Sequence, residues 1–320
     1  MRFHVNEFDG HRAVVRSRRA LCWQASSDRE AAATPHPRAA SGLAWLGAGD
    51  ERRLALVQDD ACAIALVEPA SGLARAVALP AVEGARRFDP GFAPKRHTPG
   101  LECCVAARVG AREVLLAFGS GSTDRRERVA VIERRAAAWE SRFVAAPALY
   151  AAMRGERRFS GGALNVEGVA LVGDRLWFFQ RGNGGAHPAS AWVSFARFWA
   201  YLEGDDANGP VLEDVQPVAL PAIEGVPLGF TDAAVDEDGE VVWLASAEAS
   251  PDTYDDGVVV GSAIGVGGGR AALLCEADGA PFRGKAEGLA LAGRGRAWVA
   301  VDPDDPEVPA ELLEVELPWR

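Results

Sequence analysis

Lysine is almost missing from this chain. Of 34 basic residues only Lys95 and Lys285 are lysines. Abundant arginine and alanine reflect genomic base composition, so a surviving lysine marks a place where a compact ammonium is wanted rather than a guanidinium fork. Long basic runs are missing too. With 45 acidic residues the formal charge is −11, and such a surface repels phosphate backbones and anionic membranes, so neither nucleic acid nor membrane is expected as a partner. No run of about 18 apolar residues occurs, which excludes a spanning helix. Residues 1–23 mix Arg2, His4, Glu7, Asp9 and Arg12 with single apolar residues, whereas a secretory signal needs an unbroken apolar stretch of roughly 7–15 residues. A cytoplasmic location is therefore expected. The five cysteines include no C-x-x-C, and the neighbours Cys103 and Cys104 would point to opposite faces of a strand, so reduced, mostly buried thiols are expected rather than disulfides or a zinc site. The histidines show no metal-ligand spacing, and neither a P-loop, a G-x-G-x-x-G nor a G-x-S-x-G is present.

What is present is a repeat. Five segments share a small or acidic start, an alternating apolar strand, a turn and a second strand with a polar end. They begin at Ser41, Glu102, Glu167, Asp232 and Glu287, at spacings of 61, 65, 65 and 55 residues. Turn residues such as Gly173-Asp174, Asp238-Gly239 and Gly293-Arg294-Gly295 supply positive φ before strands rich in aromatic and β-branched residues, the pattern of a hairpin. Several antiparallel strands per unit, without helices of roughly 10–15 residues between them, predict an all-β fold, a single β-propeller. Five blades is the count, with six as the alternative if residues 1–40 supply more than a closing strand. No linker divides residues 1–320, so one domain is expected, its N-terminal segment (1–40) closing the ring. A helix is expected at Pro147–Arg154, where proline opens an Ala/Leu/Tyr/Met run, and a strand at Trp192–Phe198.

In a propeller the first strand of each blade lines the central channel, so the leading residues of the repeats converge. Glu102, Glu167, Asp232 and Glu287 would approach one axis, and like charges so placed require a cation, shared protons or basic partners. Four oxygen ligands suit a hard cation, calcium first, and the same crowding suits acid–base catalysis. Glu102, Glu167, Asp232 and Glu287 are the candidate ligands; Glu102, Asp232 and Lys285 are the candidate catalytic residues. Lys285 lies two positions before Glu287 and would share its face of the strand. The second strands end in polar clusters, among them 180–185, which place Arg181 and Asn183 at the same mouth; with Lys95 they are the candidate substrate-binding residues. The structural alternative is that each acidic residue locks the neighbouring blade through backbone amides. Trp45, Trp177, Trp243 and Trp298, which recur near blade starts, are expected to pack between blades.

The motifs Leu164-Asn165-Val166-Glu167-Gly168, Gln180-Arg181-Gly182-Asn183-Gly184-Gly185, Leu228-Gly229-Phe230-Thr231-Asp232-Ala233, Tyr254-Asp255-Asp256-Gly257 and Lys285-Ala286-Glu287-Gly288 together resemble an uncharacterised bacterial β-propeller family, itself similar to the phytase-like and esterase-like propellers. The resemblance runs from about Ser41 to Leu317. It implies a calcium-assisted hydrolase of ester, lactone or phosphoester bonds, with the metal held by channel carboxylates; the chain carries no basic cluster of the size that phytate would need. The alternative is a non-catalytic propeller whose rim binds a small molecule or peptide. A third reading is a glycosidase, which would require carboxyl separations of about 5–5.5 or 6.5–9.5 Å.

Overall fold

The computed structural model describes residues 8, 10–89, 92–135, 138–206, 209–249 and 257–319. The N-terminal part holds β1 (Arg12–Ala20), β2 (Cys22–Trp23) and α1 (Ser26–Ala32). A first antiparallel unit follows, β3 (Ala40–Leu46), β4 (Arg53–Gln58), β5 (Ala63–Val67) and β6 (Leu73–Ala78). The second is β7 (Leu101–Val109), β8 (Arg112–Gly119), β9 (Arg128–Arg135) and β10 (Ala138–Ala145). After α2 (Pro147–Gly155) and α3 (Arg157–Ser160) come β11 (Val166–Val172), β12 (Arg175–Gln180), β13 (Ala189–Ser194), α4 (Phe195–Glu203) and β14 (Glu213–Pro217). Then β15 (Ala222–Ile223) leads into β16 (Val226–Val235), β17 (Val241–Ala249), β18 (Val258–Val266) and β19 (Arg270–Cys275). The last run is β20 (Lys285–Leu291), β21 (Arg296–Asp302) and β22 (Glu311–Glu316). The fold is all-β, built of mainly antiparallel sheets.

β1 completes the last run. It pairs antiparallel with β22 and parallel with β19, joining the fourth and fifth units into a nine-stranded sheet. The hairpins between first and second strands are tight because glycine permits them: Gly110 and Gly173 sit at φ 59° and 61° in two-residue loops, a left-handed conformation that costs other residues free energy.

Alternation along each strand sends successive side chains to the two neighbouring units. Cys103 joins the cluster shared with the third unit (Phe118, Val131, Val169, Phe178), whereas Cys104 joins the one shared with the first (Ile64, Leu66, Leu115). The same logic places Phe179 and Trp177 against Phe230 and Trp243, and Leu244 and Ile264 against Leu289 and Val299. A fifth cluster unites Leu54 and Leu56 of the first unit with Ala300 and Leu312 of the last. Each fully buried side chain of this size contributes about 1.5–3 kcal/mol. Trp243 is fully buried and its indole donates to Gly267 O; Trp177 stacks on Trp192 with centroids 4.3 Å apart, and Trp45 and Trp298 flank the cluster between last and first units. Cys62, Cys103, Cys104 and Cys275 are buried thiols, while Cys22 is exposed.

Two expectations need correction. The strand predicted over Trp192–Phe198 stops at Ser194, whose Oγ accepts from Arg197 N and caps α4. Phe195, Phe198, Trp199 and Leu202 then recur at helical spacing and pack on the core. The short α1 was also unforeseen. The helix expected at Pro147–Arg154 is α2.

Candidate functional site

The leading strands carry a common irregularity. In β7, β11 and β20 the pairing register slips between Leu101 and Cys103, between Val166 and Gly168, and between Ala286 and Gly288. Glu102, Glu167 and Glu287 are the extra residues of these β-bulges, released from the ladder and re-aimed. After the Glu167 and Glu287 bulges the next residue is glycine because a neighbouring first strand lies against it: a Cβ on Gly288 would meet Ser41 O at 2.7 Å.

In β16 the slip falls between Phe230 and Asp232, so the bulge residue is Thr231. Asp232 stands one position further on, and a one-residue shift turns a side chain to the other face. Thr231 Oγ1 donates to Ala286 O at 2.8 Å. Asp232, fully buried, accepts from its neighbour Ala233 N at 2.8 Å, from Leu289 N at 2.8 Å and from Leu43 N at 3.1 Å. Burial pushes its carboxyl well up from the ordinary range, and the three amides offset that only in part. Asp232 thus ties the fourth unit to the first and fifth through their backbones, the locking role set out above as the structural alternative.

The carboxylates that do gather surround Arg181, which follows the end of β12. Its guanidinium lies 3.4 Å from Glu167 and 3.8 Å from Glu287 and pairs closely with Glu248 at the end of β17. Arg181, Glu167 and Glu287 are all buried. Burial disfavours the Arg181 charge, but Glu167, Glu287 and Glu248 outweigh it and hold the guanidinium protonated. Burial pushes Glu167 well up, with Arg181 opposing; it raises Glu287 to about 7 against the pull of Arg181 and Lys285. Lys285 Nζ sits 3.7 Å from Glu287 and 2.9 Å from Asp304 Oδ1. Asn165 Nδ2 donates to Glu167 Oε1 at 2.7 Å and to Asn183 Oδ1 at 3.3 Å. Glu102, the most open of the three bulge glutamates with its side chain 12% exposed, faces Arg126 at 3.5 Å, and Arg126 lies 4.0 Å from Asp59.

The structure therefore brings Glu102, Glu167, Glu287, Lys285, Arg181 and Asn183 to the start of the first strands and gives Asp232 other work. Lys95 begins a one-turn 3-10 segment; its side chain, like residues 250–256 with Tyr254, Asp255 and Asp256, lies outside the described residues. Arg126, Asn165, Glu248 and Asp304 were missed as members. Glu248 and Asp304 stand in polar clusters at strand ends, which is a usable signal, whereas Arg126 has none in the sequence.

Calcium is tested by this donor set. Among the described residues no three His, Cys, Asp or Glu side chains are grouped to hold a metal ion. A guanidinium stands among Glu167, Glu248 and Glu287, and the Asp232 oxygens face amide donors. The residues do not fit a calcium site there.

At the other end of the first strands lies a cavity of about 420 Å³. Residues 43–45, 104–106, 169–171, 233–235 and 289–291, three from each first strand, form its wall.

Solved structures resemble the chain loosely. An α-L-arabinofuranosidase from Podospora anserina is 12% identical over 96% of each chain with a TM-score of 0.47. A hypothetical protein from Leishmania major is 12% identical, covering 95% of this chain and 91% of its own, at 0.45. A gluconolactonase from Xanthomonas campestris is 12% identical, covering 96% of this chain and 97% of its own, at 0.41. None is near enough in sequence or shape to inform on activity here. No curated protein matches the sequence. Residues 36–317 match a family of unknown function, DUF6929, and the chain belongs to that family.

Proposed function

We propose that the chain is a closed five-bladed β-propeller acting as a hydrolase of ester-type bonds, lactones and phosphoesters included, by acid–base chemistry at the carboxylate end of its axis. The closed ring is supported by the five apolar clusters, each shared by consecutive units, with the last joining unit five to unit one. The resemblance to esterase-like propellers favours the reaction class.

The observation that carries the reading is the convergence of Glu167, Glu248 and Glu287 on Arg181, with Lys285 behind Glu287. Negative groups outnumber positive ones in a buried space, so not all of them stay ionised. Glu287, at about 7, exchanges a proton near neutral pH, which suits a general base toward water and a general acid toward the departing alcohol. Lys285 and Arg181 stabilise negative charge developing on the attacked oxygen. Glu102 is the most open of the three bulge glutamates, and Asn183 and Lys95 would orient the substrate.

A second reading has its own support. Glu102, Glu167, Asp232 and Glu287 each already take a protein partner, which suits a non-catalytic binding propeller. Aryl esters, lactones and phosphomonoesters assayed with EDTA or with calcium separate the two. Turnover insensitive to EDTA, falling at least about 100-fold in Glu287→Gln, is expected. No turnover of any of these substrates leaves only the binding reading, and turnover that EDTA abolishes restores the metal.

A further inference from the structure

The cavity at the far end of the axis has a different chemistry, independent of any hydrolysis at the carboxylate mouth. We propose that it binds a small amphipathic monocarboxylate, its apolar body in the well and its carboxylate on Arg52. The volume of about 420 Å³ lies in the range of small-molecule sites, about 300–1,000 Å³. Its wall presents the half-buried side chains of Ala44, Ala106, Leu171, Ala234 and Leu291, one from each of the five first strands. Nothing in that wall would solvate a buried charge, so a ligand's polar group must stay at the rim.

The rim charges are not equivalent. Arg294 pairs with Asp238 at 3.3 Å and Arg270 with Glu240 at 3.6 Å. Asp236 is spent on the amides of Asp238 and Glu240, which donate to its Oδ1 at 2.9 and 2.8 Å. Arg52 alone among these arginines has no carboxylate partner among the described residues. Its guanidinium carbon stands 4.1 Å from the centroid of the Trp45 ring, which lines the well. Trp45 is itself fixed by its indole N–H donating to Leu291 O across the junction of the last and first units. A guanidinium held flat on an aromatic face keeps its N–H edges for a carboxylate, which they match bidentately. Asp236 and Glu237, the rim carboxylates with no ion pair among the described residues, oppose each added negative charge, so one charge held on Arg52 is tolerated better than the two of a phosphate.

Calorimetric titration with 2-naphthoate tests this, with 2-naphthylmethanol and 2-naphthylmethylamine as the neutral and cationic counterparts. One saturable naphthoate site is expected, with the alcohol weaker and the amine weakest. Arg52→Gln should weaken naphthoate at least about 10-fold and leave the alcohol unchanged, as loss of a charge-assisted contact requires, while Arg52→Lys should recover part of the loss. Ala234→Leu, which narrows the wall without changing charge, should weaken acid and alcohol alike. Thermal melting verifies that each variant is folded. No saturable naphthoate binding to the wild type, equal binding of the amine, or an unchanged Arg52→Gln would each overturn the proposal.

Discussion

The two ends of the five first strands differ completely in character. At their starts, bulges free Glu102, Glu167 and Glu287 from the ladder and turn them toward arginines and a lysine. A few residues later the ladder is regular, the side chains apart from Trp45 are small or aliphatic, and a well opens. One inserted glutamate in each of three strands is enough to set a charged end against an apolar one. The comparison also separates two ways of burying a carboxylate. Asp232 satisfies itself on backbone amides and binds units together. Glu287 shares cations with its neighbours and stays able to titrate.

The sharpest way to break the comparison is Arg181→Met. It strands Glu167, Glu248 and Glu287 without their common cation, and removing one partner of a buried ion cluster costs about 3–5 kcal/mol. Urea unfolding should show this loss at pH 8 and a smaller one at pH 5, because the carboxylates then neutralise themselves by protonation. An equal loss at both pH values would mean that Arg181 acts through packing alone. Asp232→Ala comes next. Three buried amides lose their acceptor, and a loss of about 3 kcal/mol is expected in urea unfolding. A negligible loss would deny Asp232 its locking role.

The pH profile itself sharpens the contrast. Glu287 is raised in the folded state to about 7, above an ordinary glutamate near 4.3. A raised carboxyl binds its proton more tightly when folded, so its contribution is complete below the unfolded pKa and is lost as pH climbs through the folded one. Between pH 5 and 7 this amounts to about 2 kcal/mol, and Glu287→Gln should flatten the slope by that much. An unaltered slope assigns the titration elsewhere, to Asp60 for example, which burial raises to about 6. The smallest effect belongs to the far rim. Arg294→Gln removes an exposed ion pair with Asp238, where less than about 0.5 kcal/mol is expected; a loss above about 1 kcal/mol would show that the rim is structurally coupled to the well.

Much of this was legible in the sequence, and for identifiable reasons. Period-two alternation and glycine-bearing turns marked most strands. Glu-Gly after a short apolar lead marked the acidic mouth at Glu167 and Glu287. Asp232 was misplaced because a bulge leaves no trace in composition: Thr231-Asp232 reads as well in one register as in the next. Arg126 was invisible because a lone arginine in a polar loop has no local signature, and its partner Glu102 is 24 positions away. The well was hidden for the opposite reason. Its wall is ordinary strand sequence, and only the meeting of five strands makes it a cavity. The first turn of α4 was read as strand because its aromatic residues suit either element, and the capping serine decided the matter.

The pairing of β1 with β22 has a consequence for biosynthesis. Residues 12–20 are synthesised well before their antiparallel partner, residues 311–316, so the nascent chain must carry an unsatisfied strand edge until that partner has been made. Such long sequence separation slows folding, and exposed edges invite association with other chains. The chain should accordingly mature late and cooperatively, and a polypeptide truncated before residue 311 should be prone to aggregate rather than accumulate as a folded fragment.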